Sequence, residues 1–571
     1  MKKNILLLIV FLFTSWIGRC QEMDQKGATY LNELQLIKAR AWYQSSLAKS
    51  PVNSSILIGL GETFLALNNP DSAKILFKKV LSSDVKNSFA LVGMGKAALL
   101  SRDREAQTDY FDRARRADKT NPELYCQVAE GCLRLAIKDT VTALVYLNYG
   151  LNINAKYAEL HRVLGDLETM KKNYGAAANA YDRAIFFDPK SATAYRNLGF
   201  IHLLSHSWQE ASLALNKSVA INPDQFLVYK YLGDLYYATG KYADAEKNYR
   251  IFLDRAEFTI DDQERFAIVL FFNKKYKESA TLLEKLQEQS KDESVILRIR
   301  GYIAYETGDF QNGVDYMKKF FALHRPDKVI ASDFTYYARL LQNTGNELGA
   351  IENYKKAIEI DSSQIEILEE IAKLSAKNRM HKEAADYYKR MIAHGADQLT
   401  TSFAIGKEYY FEGENYRSRY DSLNKVQKST VILFSDTIAV KMLMNQYYAS
   451  ADSTFTVVSR LNPDYAGSYL WKGRIQSILD PEAASTKAKD AFEKALTLLE
   501  KTDPLKSKKS LVECYRYLGS YYYLGYERFF KTDKKQSAVM RTKCIDSFEK
   551  IIHLDPSDSQ ALEVLARMKR M

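Results

Sequence analysis

Beyond its first twenty residues, this 571-residue chain has no apolar run approaching the ~18 residues that a membrane-spanning helix needs. It has only five cysteines and seven histidines, and neither set forms a recognisable site. Gly59-Leu60-Gly61 and Gly93-Met94-Gly95-Lys96 are fragments of a phosphate-binding loop, without the full G-x-x-x-x-G-K-[ST] spacing or a preceding strand. His202 and His206 stand four apart, as two metal ligands can, but no Glu follows His202 as in H-E-x-x-H. They are expected to serve as a packing residue and a turn residue. No Ser/His/Asp or Cys/His set and no isolated carboxylate pair stands out, so no enzyme, cofactor or metal site is expected.

The N-terminus, MKKNILLLIVFLFTSWIGRCQ, carries two lysines, an apolar run from Ile5 to Phe13, and then small and polar residues. This is the pattern of a secretory signal peptide. Cleavage is expected between Cys20 and Gln21; a lipid anchor on Cys20 would need a small residue where Arg19 stands. Removing residues 1–20 takes away Lys2, Lys3 and Arg19 and no acid, so the formal charge of +11 becomes +8. So mild an excess, on a chain expected in the periplasm, gives no reason to expect a nucleic-acid partner. Of the four remaining cysteines, Cys126 and Cys132 lie six apart on one expected helix, too far to bridge. Cys514 and Cys544 could meet across the last hairpin, yet Cys544 stands in a packing position, so buried free thiols are expected.

What the chain does have is an interval. Gly or Ala recurs at Gly61, Gly95, Gly131, Gly165, Gly199, Gly233, Ala267, Gly301, Ala338, Ala372, Gly406, Ala439, Gly473 and Gly519, and nine of the thirteen gaps are 34 residues. A second small-residue column follows twelve positions later, as at Ala73, Ala177, Ala211, Ala245, Ala350 and Ser418. Around the first column, Tyr195, Leu198, Gly199 and His202 mark one helix face, and Tyr229, Leu232, Gly233 and Tyr236 repeat it. Glycine inside a helix costs about 1 kcal/mol relative to Ala, so its return implies close helix contact, with the small residue twelve on expected in the facing slot. Asp188-Pro189, Asn222-Pro223, Asn462-Pro463 and Asp555-Pro556 close units, because the residue before Pro disfavours helix.

These columns resemble the tetratricopeptide repeat, a 34-residue helix-turn-helix. The resemblance implies an all-α, right-handed superhelical solenoid over roughly residues 27–556. The expected divisions are a signal peptide (1–20), a truncated capping repeat (21–52), a regular array (53–413), a less regular array with an extended last repeat (414–556) and a capping helix (557–571). Within 414–556, Ala439, Tyr448, Ala451, Phe455 and Pro463 are read as one worn repeat. Residues 528–543 are read as longer helices or a loop.

In this family a second stripe on each first helix looks into a concave groove that binds peptides or partner helices. Here that stripe places cations at Arg162, Arg196, Lys230 and Arg298, with Phe200, Tyr237, Tyr302 and Tyr305 beside them. The resemblance therefore implies a protein or peptide partner with an acidic segment. The accompanying Asn of the family's carboxylate-holding grooves is missing, since Asp166, Phe200, Asp234, Ile268 and Tyr302 fill that place. A plainer account pairs Arg162 with Asp166 and Lys230 with Asp234 as bridges worth about 0.2 to 0.5 kcal/mol each. The expectation is an exported scaffold or adaptor in an envelope-associated complex, peripheral to the outer membrane; the alternative is a periplasmic carrier or receptor for a small or polymeric envelope ligand.

Overall fold

The computed structural model describes residues 25–570, apart from 34, 291–292, 324–327 and 428–433. The signal-peptide reading of residues 1–20 lies outside the described residues. Among those described, helix follows helix and no strand occurs. Contacts divide the chain into two compact units, with the division between Ile303 and Ala304.

The first unit is a series of helical hairpins. They are α1 (Gln25–Asn32) with α2 (Leu36–Lys49), α3 (Ser54–Ala66) with α4 (Pro70–Ser83), α5 (Ser88–Leu100) with α6 (Arg104–Ala117), and α7 (Pro122–Arg134) with α8 (Thr140–Ile153). Next come α9 (Ala158–Met170) with α10 (Tyr174–Phe187), α11 (Ala192–Leu204) with α12 (Trp208–Ile221), α13 (Phe226–Ala238) with α14 (Tyr242–Arg255), and α15 (Ile260–Phe272) with α16 (Tyr276–Leu286). Six successive early helices are capped by their own flanking residue: Asn53, Asn69, Asn87, Asp103, Asn121 and Asp139 each accept a first-turn amide.

The glycine column is a packing column, but its partner differs from the expectation. A Cβ at Gly61, Gly95, Gly165 or Gly233 would lie 2.4 to 2.6 Å from the ring of Phe77, Phe111, Tyr181 or Tyr249. At Gly199 it would lie 2.7 Å from Leu215. The large side chain sixteen positions on, not the small one twelve on, fills the space. The small residues Ala73, Ala177, Ala211 and Ala245 are fully buried in their own right, one helical turn earlier on the same face. Gly27, Ala39 and Tyr43 keep this register in the first hairpin, where a Cβ on Gly27 would meet the Tyr43 ring at 2.6 Å.

A second period lies in the turns. Asn68 and Arg102, then Lys172, His206, Gly240, Lys274 and Gly308, then Gly345 and Arg379 all adopt left-handed backbone with φ between 57° and 85°. Within each group the spacing is one repeat. His206 thus holds the turn position expected of it.

In the second unit, Ala331–Asn343 pairs with Glu347–Ile360 and Ile365–Lys377 with His381–Ala393. The regular pattern then ends. Gln398–Gln427 and Phe434–Leu461 form one long hairpin in which Gly406 faces Phe455 and Gly413 faces Tyr448. Tyr448, Ala451 and Phe455 are buried as the column requires. Ser418 and Ala439, however, are exposed. They fall on helix that continues where a repeat would turn, so a single extended hairpin replaces the repeat read there. Further on, Pro504–Phe529 and Lys534–Leu554 are two longer helices, with Gly519 against Phe548. This answers the question over residues 528–543 in favour of helix. Ser559–Arg570 closes the unit by burying Ala561 and Met568. Cys126, Cys132, Cys514 and Cys544 are all free and buried.

Candidate functional site

The first helices of the early hairpins bring a chain of charged side chains together inside the first unit. On α9, Arg162 donates to Glu159 and Asp166 of its own helix and to Glu130 of α7. Asp166 also accepts from the Tyr181 hydroxyl at 2.7 Å and from the Asn197 amide of α11 at 2.9 Å. Asn197 in turn accepts from Arg196 at 3.1 Å. Glu130 pairs with Arg134 as well, and Glu123 accepts from Tyr157 at 2.6 Å. Burial opposes the charge of Arg162, but Glu159, Asp166 and Glu130 more than restore it. Burial pushes the Glu159 carboxyl up to about 8 despite Arg162 beside it. It also lowers Arg134, to about 10, against the pull of Glu130.

An open ladder of cations is therefore not what the stripe forms. Arg162 and Arg196 are both fully buried: the Arg162 guanidinium is drawn into Glu159 and Asp166 of its own helix and Glu130 of the preceding hairpin, and Arg196 donates to Asn197 beside it. Lys230 reaches Asp262 at 2.5 Å and not Asp234, which accepts from Tyr249. Phe200 lies half-buried with its ring 4.8 Å from that of Tyr231. Tyr237 is half-buried between Tyr242 and Phe272. Tyr302 is buried against Phe271, whereas Arg298 is only half-buried. Tyr305 belongs to the second unit, where its ring meets Tyr336 and the Arg339 guanidinium.

The sequence reading missed what lies opposite Arg196. Glu33 and Gln35, at the turn of the first hairpin, meet elements some 190 to 220 residues further on. Glu33 lies beside Asp224 and Phe226 at the start of α13, where Arg196 and the amides of Leu227 and Phe226 act on its charge. The Glu257 carboxylate accepts the amide of Ile37, in the first turn of α2, at 2.8 Å. Gln35 and Lys38 add bonds to the Arg255 carbonyl at 2.8 and 3.4 Å. Neither α2 nor α13 has a side-chain cap from its own flanking residue, Gln35 or Gln225. α2 is capped across the junction instead, by Glu257, and a carboxylate at a helix N-terminus also meets the positive end of the helix dipole. Burial pushes the Glu33 carboxyl up to about 7, against the opposing pull of Arg196 and the two amides.

Beside this junction lies a cavity of about 640 Å³ whose lining includes Asn32, Glu33, Lys156, Glu159, Thr193 and Gln225. Among the described residues, no group of His, Cys, Asp and Glu is placed to hold a metal ion.

Models of repeat families match two stretches of the chain, the TPR repeat at residues 165–205 and the Tetratricopeptide repeat at residues 337–364. The chain carries tetratricopeptide repeats. Such repeats generally mediate protein–protein contact. The chain is similar in fold to the C-terminal part of a TPR repeat-containing protein from Cytophaga hutchinsonii, at 22% identity over 52% of this chain and 98% of that one, TM-score 0.35. It is similar also to a tetratricopeptide repeat protein from Parabacteroides merdae, at 15% identity over 44% of this chain and 98% of that one, TM-score 0.30. A third is YrrB, described as a TPR protein with an unusual peptide-binding site, at 20% identity over 33% of this chain and 95% of that one, TM-score 0.21. No curated protein matches the chain in sequence. No helix among the described residues is long and apolar enough to cross a membrane.

Proposed function

We propose that this chain is a non-catalytic adaptor, exported to the periplasm, that holds protein partners in an envelope-associated complex. The observation that carries the binding part is the array of repeat hairpins itself, in which Gly61, Gly95, Gly165 and Gly233 each pack against a large side chain sixteen positions on, since such repeats generally mediate protein–protein contact. Phe200, Lys230, Tyr237 and Arg298 are the partly exposed members of the expected stripe in the first unit, and Tyr305 offers a partly exposed ring in the second. The export part rests on Lys2, Lys3 and the apolar run Ile5 to Phe13.

Capture from detergent-solubilised envelopes by the full chain and by a Tyr237→Ala, Arg298→Gln variant tests this reading. A defined protein set held by the wild type and lost by the variant supports it; equal capture by both moves the contact off these residues. The polar cavity of about 640 Å³ favours one second reading, a carrier for a small or polymeric envelope ligand. Recovery of glycan or lipid without protein would select that reading. N-terminal mass spectrometry of mature protein tests export: a start at Gln21 is expected, a diacylglyceryl mass on Cys20 replaces it with an anchored form, and an intact Met1 removes the compartment.

A further inference from the structure

Three successive second helices of the first unit, α8, α10 and α12, end on Asn154, Asp188 and Asn222. Each of these side chains accepts the amide two residues on, from Lys156, Lys190 and Asp224, at 3.0 Å. The turns so made, with the starts of α9 and α11, border the cavity of about 640 Å³, and Glu33, just past α1, stands in its wall. The lining holds bonding capacity that the chain leaves unspent. Ser191 Oγ accepts the Ala194 amide, and Thr193 Oγ1 accepts the side-chain amide of Gln225 at 2.8 Å. A hydroxyl can give one bond besides those it accepts, and among the described residues neither of these two protons is donated. Glu33 is 7% exposed, and its Oε2 meets no donor among the described residues.

The charged members of the lining offset one another. Lys156 and Lys190 are matched by Asp188 and Glu33, and Glu159 is held by Arg162. An anion would meet the carboxylates, a cation the lysines, and an acyl chain would leave the Glu33 oxygen without a donor. Phe187, half-buried with its ring stacked on His161 at 5.3 Å, adds an apolar stretch of wall. We propose that this cavity binds a short neutral saccharide, whose hydroxyls donate to Glu33 Oε2 and accept from Ser191 and Thr193 while one ring face lies on Phe187. A sugar hydroxyl is donor and acceptor at once, and the C–H face of a pyranose is apolar, so one molecule meets each of these features. The volume of about 640 Å³ lies within the roughly 300 to 1,000 Å³ of small-molecule sites. The inference rests on the carrier reading, to which it gives a ligand class, and does not need the adaptor reading. A free oligosaccharide and the end of an envelope polysaccharide present the same chemistry.

The test uses the full chain and an immobilised array of neutral oligosaccharides of glucose, galactose, mannose and N-acetylglucosamine, with calorimetric titration of every member that binds. At least one should bind saturably. Glu33→Ala removes a carboxyl whose Oε2 meets no donor in the folded chain, and Ala158→Trp fills the cavity from the start of α9. Each should weaken that binding at least tenfold. The Tyr237→Ala, Arg298→Gln variant, altered outside the cavity lining, should bind as the wild type does. Thermal unfolding of each variant accompanies the titrations; should Ala158→Trp fail to fold, Glu33→Ala decides. No binding by any member of the array, or wild-type affinity in Glu33→Ala, overturns the proposal. Pelleting with purified envelope polysaccharide separates the two sources: release by the bound oligosaccharide assigns the polymer's end, and absence of pelleting assigns the free sugar. If envelope extracts yield bound lipid while no array member binds, the carrier reading stands and the saccharide fails. If neither lipid nor sugar is bound, both fail.

Discussion

Titrating Glu33 gives a quantitative check on the junction. Its carboxyl moves from 4.5 to about 7 on folding, with burial the first cause, Arg196 and the amides of Leu227 and Phe226 opposing, and Asp224 adding to the rise. A carboxyl whose pKa rises on folding binds its proton more tightly when folded, so its contribution to stability is complete below about 4.5 and is lost as pH climbs through about 7. The shift is about 2.5 units; at about 1.4 kcal/mol per unit, most of that loss, roughly 2 to 3 kcal/mol, falls between pH 5 and pH 8. Glu33→Gln keeps the shape and removes the titration. Urea unfolding of both chains at half-unit steps from pH 5 to 8, followed by a probe in the first unit, should show the variant gaining on the wild type by that amount across the window. Two stability curves that run parallel from pH 5 to 8 would refute the reasoning, since Glu33 would then titrate alike in both states.

Gly233→Leu should lower stability by about 1 to 3 kcal/mol in thermal unfolding, because a Cβ there already lies 2.5 Å from the Tyr249 ring and the added volume overpacks the hairpin. Arg162→Met should cost about 3 to 5 kcal/mol, measured by denaturant unfolding, since it leaves Glu130, Glu159 and Asp166 without their shared cation. Lys172→Gly should stabilise by up to about 1 kcal/mol, because it frees a left-handed turn residue at φ 60° that Gly240 already occupies with glycine in a later repeat. In the native protein none of Cys126, Cys132, Cys514 and Cys544 should react with a thiol reagent within minutes at pH 8; burial raises all four, Cys544 to about 11 and Cys514 to about 12, and rapid labelling of any one would contradict its packing.

The repeat was legible because packing wrote it periodically. Gly233 must be small wherever a Tyr249 follows, and that demand returns each time a hairpin stacks. The partner of the glycine was misread because Ala245 and Tyr249 are both required one turn apart, and spacing alone does not say which fills the gap. The long hairpin through Ser418 and Ala439 was misread for the opposite reason: small residues persist there in step while the turn that gives the step its meaning is gone. Arg162 and Arg196 are buried, and that burial could not be read locally. Three carboxylates surround Arg162, and one of them, Glu130, comes from the preceding hairpin. The junction left fainter marks still. Gln35 stands where Asn or Asp caps other helices, but Tyr157 and Lys241 also precede helices without capping them, so a missing cap did not single out the start that Glu257 caps from afar.

Solenoids lengthen in evolution by copying whole repeats, and an open array tolerates one more or one fewer because each unit touches only its neighbours. The first unit has given up that liberty. Five hairpins, α3–α4 to α11–α12, separate the first hairpin from α13, and helices pack about 8 to 10 Å apart. Copying or deleting any one of the five would carry Arg255 and Glu257 away from the first hairpin by about three times the length of a hydrogen bond, and α2 would lose its cap in the same stroke. The chain here counts its own repeats: duplications are free to accumulate beyond Glu257, while between Ser54 and Ile221 the number is fixed by whether the two ends still meet.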